Sequence, residues 1–176
     1  MSLYDETVPE FVRTLNALEA WIDEAHAYAE AREFSPDVLL TARLYPDQFD
    51  LTRNIQSACD AAKLTAKRIC EVDAPKHEDG PSTWEKLRAR IRETVAYLEG
   101  LDPAGFEGRD EVILSPAMLR GGRVVTKRFV RGFGLPNFYF HATTCYAILR
   151  ANGVKLGKRA FIGSFPIMPP EDAPTE

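Results

Sequence analysis

The chain has 176 residues, enough for one domain with a sizeable buried core. Hydrophobic residues make up 45% and charged residues 27%, an ordinary balance for a soluble globular protein, and no apolar run reaches the 18 residues of a membrane span. Against 26 Asp and Glu stand 22 Lys and Arg, so the net charge of −4 argues against a nucleic-acid partner, which needs a clustered basic face.

In chain order, Thr7 or Asp5 can cap a first helix with Pro9 in its opening turn. Val8, Phe11, Val12, Leu15, Leu18, Ile22 and Ala25 then recur at helical spacing to about Arg32, with His26 near the end as a surface or interface histidine. Ser35-Pro36-Asp37 opens a short turn, and Pro46 breaks the segment 42–49 into a packed loop. Asp50 caps a second long helix, roughly Leu51 to Glu71, whose inward stripe is Leu51, Ile55, Cys59, Ala62, Ala66 and Ile69. Gln56, Asp60, Lys63 and Lys67 border that stripe and read as a solvated ladder, of which Gln56 and Asp60 lie nearest the apolar face. The polar turn Pro75–Pro81 carries His77, expected to be exposed and uninvolved.

Ser82 with Glu85 reads as a capping box for a third helix that buries Trp84, Leu87, Ile91, Val95 and Leu98 and stops near Gly100. Residues 111–114 and 123–126, flanking Gly121-Gly122, suggest a small hairpin. The last long helix runs over 135–153, with Pro136 in its first turn and Gly153 just past its end. A rotation of about 100° per residue places Asn137, His141, Thr144 and Ile148 on one stripe, flanked by Phe138 and Phe140. Residues 154–163 can fold back on the bundle. The tail, 164–176, has the composition of a disordered segment.

The expected fold is therefore all-α: a four-helix bundle with one long crossover and a small β-hairpin before the last helix, forming a single domain over 1–163. Cys59, Cys70 and Cys145 are odd in number and contain no CxxC, so they read as buried thiols of a reducing compartment rather than a disulfide framework. The start of the chain shows no basic-then-apolar leader pattern, so a cytoplasmic location is expected.

The segments Ala42–Phe49, Gln56–Lys63, Leu135–His141, Ala147–Val154 and Leu156–Arg159 carry a resemblance to the DinB-like superfamily of four-helix bundles, and within it to a domain-of-unknown-function branch of the DUF1993 type. The superfamily includes metal-dependent thiol transferases. Its metal-binding members share a three-histidine site, with one histidine on the second long helix and an H-x3-H pair on the last. The resemblance places His141 on the second histidine of that pair, Asn137 on the first, and the helix-two position on Gln56. Two of three ligands are then carboxamides, a poor substitute for imidazole at Zn²⁺ or Ni²⁺. Asp60 could add an oxygen and Cys145 a thiol.

No cofactor is expected, and His141 is the one candidate metal ligand. The leading functional expectation is a degenerate, metal-free pocket of Gln56, Asp60, Asn137, His141 and Cys145 that binds a small polar molecule. The resemblance also implies a homodimer. The alternatives are an enzyme, metal-dependent or using His141 as a general base in transferase or hydrolase chemistry of the thiol-transferase type, and a purely structural interaction module.

Overall fold

The computed structural model describes residues 2–164, so the tail expected over 164–176 lies, apart from Ser164, outside the described residues. Helix α1 spans Leu3–Ala31. It starts earlier than the sequence suggests, because Ser2 and Asp5 form a reciprocal capping box: Asp5 N–H donates to Ser2 Oγ and Ser2 N–H to the Asp5 carboxylate. Thr7 turns inward and donates to Leu3 O at 2.6 Å. Pro9 consequently lies inside the helix, on its exposed side, where the Asp5 carbonyl that loses its i+4 donor can meet water.

Helix α2, Leu51–Cys70, begins as expected at Asp50, whose carboxylate accepts from Arg53 N–H at 2.9 Å. Helix α3, Trp84–Glu99, is capped by Thr83 rather than Ser82; the Thr83 hydroxyl accepts from Lys86 N–H. The connection to the last long helix carries strands β1 (Ile113–Leu114) and β2 (Val124–Val125), paired antiparallel with Ile113 opposite Val125. The expected hairpin is thus present, with a 3₁₀ turn over Ala117–Leu119 at its tip.

Helix α4 (Thr126–Phe129) runs through a π-helical turn, Val130–Gly134, directly into α5 (Leu135–Ala151). The last helix therefore has no free start at Pro136. Pro136 cannot donate to the carbonyl four residues back, and the widened π turn sits where that bond is missing. Gly134 follows from packing: a Cβ there would lie 2.8 Å from Thr65 Cγ2 on α2. At the other end Gly153 takes φ +98°, where a Cβ would collide with the Tyr28 hydroxyl. A short α6, Lys158–Ile162, lies back on α1, where Trp21 Nε1–H donates to Ala160 O at 3.0 Å and its ring stacks on Phe161.

Helices α1 and α2 each pack against both α3 and α5, and the most extensive contact is α2 on α5. Ala58, Ala62 and Ala66 on α2 are fully buried, which lets α5 approach closely. One hydrophobic cluster fills the space between the helices, from Phe11, Leu15 and Trp21 to Ile55, Ile91, Phe138 and Ile148. The fold thus presents the α5 stripe of Asn137 and His141 to the outer half of α2.

Candidate functional site

His141 is 9% exposed, and its Nδ1 lies 3.0 Å from Asn54 Oδ1 across the α2–α5 contact. The Asn54 amide is held from its other end. Its Nδ2 donates to Phe49 O and to Asp50 O, both at 2.9 Å, which assigns Oδ1 as the acceptor. His141 Nδ1 therefore carries the proton and donates, leaving Nε2 with a bare lone pair. Burial, and then the neighbouring Arg53 guanidinium, hold the His141 pKa below its usual value, so the ring is neutral at pH 7. Phe49 lies nearly parallel to the ring and Phe140 meets it edge-on. Both phenyl groups are themselves largely exposed, so a neutral acceptor sits in an aromatic frame that opens outward.

A cavity of about 210 Å³ borders His141, Asn137 and Asp60 together with Arg53, Arg68 and Phe133. Of the residues expected from sequence, then, Asp60, Asn137 and His141 share one cavity. Gln56 does not reach it. The Gln56 side chain is buried on the α3 side of α2, where Nε2 donates to Gly80 O at 2.9 Å and Oε1 accepts from Gly80 N–H at 3.3 Å. Cys145 does not line the cavity either; it is fully buried, and burial pushes its thiol well above the ordinary value. Cys59 is likewise buried, with its thiol pushed up to about 12. Neither thiol is placed to act as a nucleophile.

Of the ladder expected on the solvated edge of α2, Gln56 and Lys63 are covered, while Asp60 and Lys67 stay partly exposed. Segment 71–83 folds back over α2 and α3, and Lys63 is only 3% exposed. Its ammonium donates to Asp60 Oδ1 at 2.9 Å and to His77 Nδ1 at 2.8 Å; His77 Nε2–H in turn donates to Glu93 at 2.9 Å. His77 is therefore a bridging group, not a free surface histidine. Arg90, 5% exposed, donates to Asp60 and Asp79 at 2.9 Å each and to the carbonyls of Glu78 and Gln56. Arg53 pairs with Asp79 as well. Buried charges of this kind need such partners, and here each has two or more. His26 lies edge-on against Trp84, outside the cavity.

Asn54, Arg53 and Arg68 are the site residues that sequence reading missed. Asn54 carried a signal: it sits three residues after Leu51 and four before Ala58, a polar side chain inside the apolar stripe of α2. Around the cavity the donor set is one imidazole, the carboxamides of Asn54 and Asn137, and the Asp60 carboxylate, which is already paired with Lys63 and Arg90, beside the guanidiniums of Arg53 and Arg68. Asn54 Oδ1 is already spent on the imidazole N–H. This set does not fit Zn²⁺ or Ni²⁺, which draw affinity from several imidazoles or thiolates. Among the described residues no three His, Cys, Asp or Glu side chains gather as a metal site.

Helix order, the α4–α5 join and the hairpin define an all-α bundle of the DinB-like class. A crystal structure of a DinB family member protein from Shewanella denitrificans superposes with a TM-score of 0.91, at 41% sequence identity and with 96% of each chain covered. The family model for a domain of unknown function, DUF1993, matches residues 3–162, and the chain belongs to that family. No curated protein gives a significant match. No described helix is long and apolar enough to cross a membrane.

Proposed function

We propose that the chain is a metal-free binding protein whose pocket, built on His141, Asn137 and Asp60, takes a small polar molecule. One observation carries this reading: Asn54, locked by two backbone carbonyls, fixes His141 as a neutral ring whose Nε2 lone pair has no protein donor among the described residues. That nitrogen is not enclosed, so water meets it in the free protein, and a ligand O–H or N–H entering the cavity can take the water's place. The test is metal analysis of natively purified protein combined with zinc titration followed at the His141 ring resonances. Substoichiometric metal and unmoved resonances are expected; full occupancy by a first-row transition metal at His141 overturns the reading.

The same lone pair supports a second reading, His141 as a general base in transferase or hydrolase chemistry of the thiol-transferase type, since a neutral imidazole facing a cavity is the form that takes a proton. In that case the nucleophile would come from the substrate, because Cys59 and Cys145 are buried. Loss of turnover in His141→Gln with unchanged fold would favour it, and unchanged turnover would remove it. A homodimer is part of the leading reading. Leu44, Tyr45 and Phe49 expose apolar surface on one loop, which supports a self-association face, and light scattering on the purified chain tests it. The free cysteines suit a cytoplasmic setting.

A further inference from the structure

Resting on the metal-free pocket, the chemistry of its ligand can be read from Arg68. Its Nη1 donates to Leu64 O at 2.9 Å, and its guanidinium lies 5.6 Å from the Phe129 ring centroid. The remaining donors, Nε and Nη2, have no hydrogen-bond partner, and no carboxylate lies within ion-pair distance among the described residues. The nearby cations are all paired: Arg53 and Lys63 of α2 with Asp79 and Asp60, and Arg90 of α3 with both aspartates. The cavity lining carries two guanidiniums, Arg53 and Arg68, and one carboxylate, Asp60, which Lys63 and Arg90 already occupy; with Arg53 on Asp79, the cation left open at the cavity is Arg68. These donors are not enclosed, so water serves them in the free protein, and an anion entering the cavity replaces that water with a charge-assisted pair.

We propose that the His141 cavity binds a small hydroxycarboxylate. The carboxylate pairs with the open donors of Arg68, whose planar fork matches it better than it matches a point charge. The ligand's O–H donates to His141 Nε2, and its carbon skeleton rests on Phe133 and Met118 at the mouth. A volume of about 210 Å³ is below the ~300–1,000 Å³ of drug-sized sites, which limits the ligand to a few carbons.

The test uses the full chain, with binding followed at the His141 and Arg68 side-chain resonances. The probes are 3-hydroxybutanoate and 2-hydroxy-3-methylbutanoate, compared with butanoate, butanamide and inorganic phosphate. At least one hydroxy acid should bind in about the millimolar range, as expected for so few atoms. Butanoate should bind about tenfold more weakly, for want of the donor to Nε2, and butanamide should not bind. Arg68→Gln should abolish the response, Arg68→Lys should weaken it about tenfold, and Arg128→Gln, outside the cavity, should leave it unchanged. Silence from both hydroxy acids, equal binding of butanamide, or preference for phosphate overturns the proposal. Zinc titration of the same sample separates the two claims. Stoichiometric zinc at His141 refutes the metal-free pocket, whereas no zinc and no carboxylate response refutes the ligand class alone.

Discussion

Replacing Asn54 with Ala tests the α2–α5 site most sharply through stability. The substitution removes the acceptor of a buried imidazole N–H and the donor to Phe49 O; Asp50 O keeps the Asn54 backbone N–H at 3.0 Å. Stranding the His141 Nδ1–H costs about 1–3 kcal/mol, and loss of the Phe49 contact about 1 kcal/mol more. The sum is about 3 kcal/mol. For a chain of this size each kcal/mol moves Tm by about 2–4 °C, so Asn54→Ala should melt about 6–12 °C lower by circular dichroism. Asn54→Asp separates geometry from charge. It keeps an acceptor for His141 but has no N–H for Phe49 O, and its carboxylate should raise the His141 pKa above its usual value. An Asn54→Ala protein that melts within about 1 °C of the parent would refute the reasoning, because the amide would then not hold the ring.

Three further outcomes follow from the same packing. Gly134→Ala should cost about 1–3 kcal/mol by overpacking against Thr65, and most of that should return in the Gly134→Ala/Thr65→Ala double variant, measured as a double-mutant cycle in urea. Asp60→Asn should destabilise the fold by about 2–4 kcal/mol, since Lys63 and Arg90 would stay buried with one carboxylate fewer; an effect below about 0.5 kcal/mol in urea unfolding would contradict the burial of that network. The depressed pKa of His141 sets a pH dependence. As pH falls through about 6.5 the unfolded chain takes up a proton that the folded ring resists, so stability declines toward acid, by at most about 1.4 kcal/mol per pH unit from this group. His141→Asn should flatten that part of the curve.

The helices were legible wherever one face had to be apolar. Leu51, Ile55, Cys59, Ala62 and Ala66 announce α2, and all five are buried. The caps at Asp50 and Gly153 are local chemistry and could be read directly. Ser2 was overlooked because a terminal residue has no preceding pattern to mark it; α5 starts at Leu135 with Pro136 in its first turn as expected, but the π turn that joins it to α4 has no local mark, because Pro136 signals a helix start equally well beside one. In the site, the α5 pair Asn137 and His141 was visible through helical spacing. The direction of Gln56, the burial of Lys63 and the bridging role of His77 were not. All three depend on where segment 71–83 folds, a long-range choice that no local spacing encodes. Arg68 illustrates the same limit, because its lack of a partner becomes a fact only once every nearby carboxylate has been placed.

The central claim is that His141 is a neutral ring with its proton on Nδ1 and its Nε2 lone pair open to the cavity. Long-range ¹H–¹⁵N correlation of the histidine rings at pH 7, before and after one equivalent of Zn²⁺, measures it directly. The structure predicts a protonated-type Nδ1 and an unprotonated-type Nε2 for His141, unchanged by zinc. A proton on Nε2, or a zinc-induced shift at that nitrogen, would contradict it.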